Sequence, residues 1–448
     1  MLLRITPKTM RPKTIIGFIF FIFLFFGEIA MTFSFKQDNN RNIPTSEITP
    51  LSYRLTNELS ENEDTRPIDS IFNDFLARKE IKGASVAIAR KGKLVYARGF
   101  GFADTEDSIA AEPKNLYRIA SVSKLITAVT IMKLYEDGRI GLDDEVFGEG
   151  GILNDTAFLH YTDKRIEDIS VRDLMRHTGG WNGKKSDPVF NSLSIARKMN
   201  IEPPAELDDI IRYQLSENLD YDPGTKYSYS NFGYAVLGKI IEKVTDMTYE
   251  DYVQFAILHP LGIYDMHIGH SYLDQRYPNE VRYYDLDNNG KCYAFDGSGK
   301  LVPVAYGGNN IELLGAAGGW IASAPELLKL ITSIDGFESK ADILTDETID
   351  IMTRSKKQNK GNTLGWRGTD GYGTWWRTGT LAGTSALIMR QKNETDWVVL
   401  LNTSTKKRSR IHNELSRTMF KALGSVSKWP DYDLFYYSAL NSEKNYSN

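Results

Sequence analysis

The strand-like segments of this chain lie near its two ends, and helical periodicity fills the middle. Ala84 to Ala89 and Lys93 to Phe100 flank Arg90-Lys91-Gly92, which reads as an antiparallel hairpin. Gly373 to Thr378, Gly383 to Arg390 and Asp396 to Thr403 form the second group of strands. A helix opened by Pro67 (Ile68 to Lys79) precedes the first group, and one from about Arg410 to Leu423 follows the second. One arrangement satisfies this order. The end strands make a single antiparallel sheet flanked by the first and last helices, the middle makes a mostly helical lobe, and a cleft runs between. The fold class is α+β, with the domain spanning 67–424 and a tail over 425–448.

The most chemically loaded stretch is Ser121-Val122-Ser123-Lys124, at the mouth of an apolar run ending near Leu134. Helical neighbours three apart share a face, so Ser121 and Lys124 lie one turn from each other. The helix start offers unpaired N–H groups beside Ser121, and an apolar setting lowers the pKa of a lysine toward that of a usable base. A second Ser-x-x-Lys, Ser425 to Lys428, runs into Trp429-Pro430 with no apolar helix behind it and reads as a tail segment.

Two further polar stretches stand out. Tyr227-Ser228-Tyr229-Ser230-Asn231 meets a long amphipathic helix, Gly233 to Val244, and reads either as a cap formed by Ser230 or Asn231 or as side chains aimed into a cleft. Arg377-Thr378-Gly379-Thr380 lies on a strand edge. There an arginine can present a fork of donors to a carboxylate and a glycine lets a substrate approach the backbone; an ordinary strand and turn is the other reading. His177, near the end of a short helix capped by Ser170, reads as a satisfied structural histidine rather than a base. Asp285 to Asp296 mimics a calcium loop, but its flanks read as strands, so a hairpin turn between Val281–Tyr284 and Lys291–Phe295 is expected.

Ser121-x-x-Lys124, Tyr229-x-Asn231 and Arg377-Thr378-Gly379 follow one another in helix, helix-mouth and strand contexts. Together they resemble the serine β-lactamase-related family of class C β-lactamases, penicillin-binding DD-peptidases, esterases and D-amino-acid peptidases. The likeness spans about residues 67–423. It implies a β-lactamase/transpeptidase-like fold and a serine hydrolase working through an acyl-enzyme on an amide or ester. It also implies roles: Ser121 the nucleophile, Lys124 and Tyr229 sharing proton transfer, and Asn231 orienting substrate and holding Lys124. Arg377, Thr378, Gly379 and Thr380 line the substrate, with the Ser121 and Thr380 N–H groups forming the oxyanion hole. The family usually carries Lys or His where Arg377 stands. Arginine keeps the charge but cannot give up a proton near neutral pH, which favours, as an alternative, a low-turnover penicillin- or peptidoglycan-binding module. Peptide, β-lactam and ester all stay open as substrates.

Composition closes off other classes. A net charge of −4 gives no electrostatic footprint for nucleic acid. The single cysteine, Cys292, excludes an internal disulfide and any Cys-x-x-Cys metal site. No metal, organic cofactor or protein partner is implied; the partner is a small-molecule or peptide substrate. At the N-terminus, Arg4, Lys8, Arg11 and Lys13 precede an apolar run from Ile15 to Phe26. Residues 1–35 read as a secretory signal or an uncleaved membrane anchor, and 36–66 as a flexible spacer. The expected location is outside the cytoplasm, periplasmic or extracellular, with possible attachment to the membrane.

Overall fold

The structure, a computed structural model, describes residues 50–286, 290–354, 363–405 and 408–437. The expected signal or anchor and the first part of the spacer lie outside the described residues. Among the described residues no helix is long and apolar enough to cross a membrane.

In chain order the elements that build the site are α1 (Arg66–Lys79), β1 (Gly83–Arg90), β2 (Lys93–Asp104), β3 (Ile109–Ala110), α2 (Ser123–Glu136), α3 (Asn231–Thr245), α4 (Ile311–Gly318) and α5 (Ala324–Ile331). They continue with β4 (Gly368–Thr369), β5 (Trp375–Leu381), β6 (Thr384–Gln391), β7 (Thr395–Leu401) and α6 (Arg408–Gly424). One seven-stranded sheet runs in the order β4-β5-β6-β7-β1-β2-β3. The two end groups of strands meet where β1 pairs antiparallel with β7, from Ala84 opposite Leu401 to Arg90 opposite Thr395. The turn between β1 and β2 works because Lys91 (φ 51°) and Gly92 (φ 72°) both take positive φ, which matches a hairpin's twist.

Both faces of the sheet are covered. Trp397, Val399 and Leu401 of β7 alternate with Val398 and Leu400, so the first three face one layer and the other two the opposite layer. On the first side α1 and α6 pack with Phe72, Phe75, Ile411, Leu415 and Met419. Phe72 is fully buried and stacks on Phe100 with ring centroids 5.3 Å apart. Each such side chain contributes roughly 1.5–3 kcal/mol of burial. On the second side lie α2, α5 and the helical lobe. Helix α2 is buried nearly all round; its Thr127 and Thr130 hydroxyls pair with the Ala316 carbonyl (2.7 Å) and the Ile126 carbonyl (2.9 Å).

Three expectations need correction. The spacer does not extend to residue 66: Leu51 and Leu55 are buried, and the Ser60 hydroxyl donates to the Ala97 carbonyl at 2.8 Å. The tail is likewise part of the fold as far as 437, since Leu434 and Phe435 are buried and Arg90 sits 5.2 Å over the Trp429 ring. Apolar residues flanked by polar ones set both segments, a pattern easily read as linker. Finally, the stretches on either side of 287–289 do not pair with each other. Tyr284–Asp285 pairs in parallel with Thr403–Ser404, and Lys291–Tyr293 pairs with Leu301–Pro303.

Candidate active site

Ser121 sits in a 3-10 turn, Ala120–Val122, that feeds directly into α2. Ala120 takes φ 49°, a left-handed conformation costing a non-glycine residue about 1 kcal/mol or more, and such strain collects at functional turns. The turn is pinned from outside. Ile119 N–H donates to the Trp320 carbonyl at 3.0 Å, and Arg377 Nε donates to the Ser121 carbonyl at 2.7 Å. Strand β5 presses against it through Gly379. A Cβ there would stand 2.1 Å from the Ile119 carbonyl oxygen and 3.1 Å from Ser121 N. Only glycine permits that approach.

Lys124 is fully buried on the first turn of α2. Its Nζ donates to Asn231 Oδ1 at 2.6 Å and to the Ala317 carbonyl at the end of α4. Burial pushes its pKa below the ordinary value; Tyr229 offsets part of this and the Arg377 charge adds to it. No hydrogen bond among the described residues joins Lys124 to Ser121. The partner of Ser121 is Tyr229, whose hydroxyl meets the Ser121 Oγ at 2.8 Å. Burial alone would raise the Tyr229 phenol. The Lys124 and Arg377 charges, with the bonds to Lys124 and Ser121, outweigh it and bring the group down to about 8. Lys124 Nζ lies 5.0 Å from the centre of the same ring.

Ser230 caps α3, its hydroxyl accepting from Gly233 N–H at 3.0 Å, which leaves Tyr229 just outside the helix and Asn231 at its first position. The cap and the cleft readings of this stretch are therefore both realised. His177 lies beneath, buried, its Nδ1 accepting from Ser230 N–H at 3.2 Å. Burial, then the Arg377 and Lys124 charges, hold its pKa well below the usual histidine value, so it is a neutral prop.

The Arg377 side chain departs from the expected fork. It is buried, and NH1 donates to the Gly365 carbonyl at 2.6 Å while Nε holds Ser121. Nη2, also buried, has no hydrogen-bond partner among the described residues. The guanidinium therefore braces the Ser121 backbone rather than facing outward. Thr378 and Thr380 border a cavity of about 190 Å³ together with Ser121, Tyr229, Arg377 and Arg367. A larger cavity of about 450 Å³ lies elsewhere, among Lys239, Tyr249, Glu312 and Ala316, and holds none of these groups.

Two residues of this neighbourhood escaped the sequence reading. Asp187 Oδ2 accepts from Asn231 N–H at 2.6 Å and from Asn231 Nδ2 at 3.0 Å. A carboxylate there obliges the amide to turn its nitrogen away from Lys124 and its oxygen toward it. Arg367 is exposed at the cavity rim, 5.3 Å over the Tyr229 ring, and bonds the Tyr227 hydroxyl. Asp187 sits in a polar loop and Arg367 in an aperiodic one, and neither spacing carries a signal.

Comparison with known proteins agrees with the fold. The chain is 26% identical over 359 residues to Protein flp of Staphylococcus aureus (strain MRSA252), covering 76% of this chain and 63% of that protein. It is 28% identical over 206 residues to Esterase EstB of Burkholderia gladioli, covering 44% of this chain and 50% of the esterase. The chain thus spans less than two thirds of the length of these relatives. Among solved structures, the D-amino acid amidase from Ochrobactrum anthropi SV3 complexed with D-phenylalanine superposes with a TM-score of 0.62 at 20% identity, over 81% of this chain and 99% of that one. The octameric penicillin-binding protein homologue from Pyrococcus abyssi gives 0.56 at 25% identity, over 79% and 77%. The family model described as Beta-lactamase matches residues 68–418, and with most of its length so matched the chain belongs to the Beta-lactamase family.

Proposed function

We propose that this protein is a serine hydrolase that forms an acyl-enzyme at Ser121 from an amide or ester. The observation that carries the reading is the 2.8 Å contact between the Tyr229 and Ser121 oxygens, with Tyr229 held toward phenolate by Lys124. In acylation the phenolate takes the Ser121 proton as Oγ bonds to the substrate carbonyl carbon. The carbonyl π pair moves to oxygen, where the Ser121 and Thr380 N–H groups receive it. Collapse breaks the bond to the leaving nitrogen or oxygen, which departs with the proton from Tyr229. Water then attacks the ester carbonyl as Tyr229 takes its proton, and collapse breaks the bond to Oγ as Tyr229 returns that proton to it, freeing the acid and Ser121.

The substrate carries an anionic group near the scissile bond. Arg367 supports this, as a cation at the cavity rim with no acidic partner among the described residues. The basic and apolar N-terminal sequence supports action outside the cytoplasm.

The test is covalent labelling. A fluorophosphonate probe labels the protein, and Ser121→Ala is not labelled; labelling that survives the substitution removes Ser121 as nucleophile. The second reading, a slow-releasing acyl-binding module, draws on Arg377 standing where a proton-transferring Lys or His is usual. Intact-mass analysis after penicillin, a D-Ala-D-Ala peptide and p-nitrophenyl acetate separates the two, because a stable adduct without steady turnover favours the module.

A further inference from the structure

Helix α6 reaches the site from behind the sheet. Its inward residues Ile411, Leu415 and Met419 are apolar and pack on the layer beneath the strands. His412 breaks that pattern at the point where the helix passes β5. Its Nε2 lies 3.2 Å from the Gly379 carbonyl oxygen and 3.4 Å from Thr380 Oγ1. A carbonyl oxygen only accepts, so Nε2 carries the proton and His412 is the donor.

The Gly379 carbonyl and the Thr380 N–H belong to one peptide unit. In a trans peptide the two point in opposite directions. Gly379 stands opposite Ala386 and Thr380 opposite Ser385, and in an antiparallel ladder successive residues turn their backbone groups to opposite sides. The Thr380 N–H therefore points away from His412, and Thr380 lines the cavity with Ser121. A hydrogen bond into a carbonyl polarises the amide and makes its N–H a stronger donor. The same bond fixes the plane of the peptide, which otherwise lies next to a residue without a side chain.

We propose that His412 is a positioning residue for the oxyanion hole: it holds and polarises the Gly379–Thr380 peptide, so that the Thr380 N–H meets the charge that develops on the substrate oxygen. This rests on the acyl-enzyme reading above, in which Thr380 supplies one of the two donors.

The experiment compares p-nitrophenyl acetate with its thiono analogue, whose sulfur accepts N–H bonds poorly, on the full chain. His412→Leu lowers kcat for the oxygen ester about tenfold, a fraction of the loss seen when an oxyanion donor is removed outright. It leaves the thionoester rate nearly unchanged, so the oxygen-to-sulfur rate ratio contracts. His412→Gln, whose amide nitrogen reaches the same carbonyl, restores most of the ratio, and the shorter His412→Asn does not. Should His412→Leu melt early, the Gln and Asn pair alone decides the question. Equal losses on both esters, an unmoved ratio, or Gln no better than Asn would overturn the proposal. Labelling of Ser121 in the wild type together with any of these overturns the role of His412 alone. A wild type that is not labelled overturns the acyl-enzyme reading and this proposal with it.

Discussion

Arg377 donates through Nε to the carbonyl of Ser121, 2.7 Å away, so the cation that a substrate was expected to meet lies under the serine turn instead. The same guanidinium lowers the pKa of Tyr229, next after Lys124 in strength. It therefore links the shape of the serine turn to the acidity of Tyr229.

The pH profile follows from that link. If Tyr229 acts as phenolate, as proposed, kcat/KM rises with pH and levels above an inflection near the value of about 8 to which Tyr229 is brought. Arg377→Gln keeps a donor but removes the charge, which moves the inflection upward. An inflection that stays in place in the variant shows that Arg377 does not act on the base.

Gly379→Ala introduces a methyl 2.1 Å from the Ile119 carbonyl oxygen. Both partners are backbone, so β5 must back away from the serine turn. The expected result is a loss of kcat of about a hundredfold, with a stability cost of about 1–3 kcal/mol. Steady-state kinetics and thermal melting measure the two, and near-wild-type turnover would show that β5 does not border the reaction.

Asp187→Ala removes the acceptor of two bonds from Asn231. With the amide no longer oriented, Lys124 loses its fixed partner, and kcat falls about tenfold or more, the worth of one charge-assisted hydrogen bond. The fall appears in kcat rather than KM, since Asp187 is argued to act through Asn231 and Lys124. A pure KM effect contradicts that chain of contacts.

Arg367→Ala raises KM about tenfold for acyl donors bearing a carboxylate and leaves neutral esters unaffected, as loss of one ionic contact requires. Matched p-nitrophenyl acetate and hemisuccinate esters supply the comparison. Equal effects on both substrates would remove Arg367 from recognition of the anion.

Glu326 gives a stability prediction remote from the chemistry. It is buried in the core, with only the backbone of Tyr264 and Leu51 to offset the loss of water. Burial, then the neighbouring Asp265, raise it from 4.5 to about 8. The folded state thus holds a proton that the unfolded chain releases. Its contribution is fully present below pH 4.5 and is lost as pH rises toward about 8. Glu326→Gln gains about 1 kcal/mol or more over the wild type at pH 8 and gains little at pH 4, read from denaturant melts at both. A gain of equal size at the two pH values would exclude the proton linkage.

What could be read in the sequence was set by local pattern. The β1–β2 hairpin is written in Lys91-Gly92, the capped start of α3 in Ser230, and the layering of β7 in its unbroken apolar run. Ser121, Lys124, Tyr229 and Asn231 stood out because each sits at a helix mouth, where side-chain direction follows from position. Arg377 was legible as a residue but not in its role, because whether a guanidinium turns outward or beneath the strand is decided by Gly365 and Ser121, which are distant in sequence. Asp187, Arg367 and His412 were illegible for the same reason. Each acts through a contact with another loop or strand, and no local spacing records it. The packed segments before residue 66 and after 424 were misread because isolated apolar residues such as Leu51, Leu55 and Leu434 gain their weight only from the surface that receives them.

The pairing of β1 with β7 has a consequence for biosynthesis. The ribosome delivers the hairpin and the serine helix early, yet the strand that sits beside them, and the β5 edge that faces Ser121, arrive near the end. Contacts this far apart in sequence form slowly and late. A nascent or truncated chain therefore carries Ser121 without the β5 residues that border its cavity, and that cavity closes only once the last strands have zipped into place.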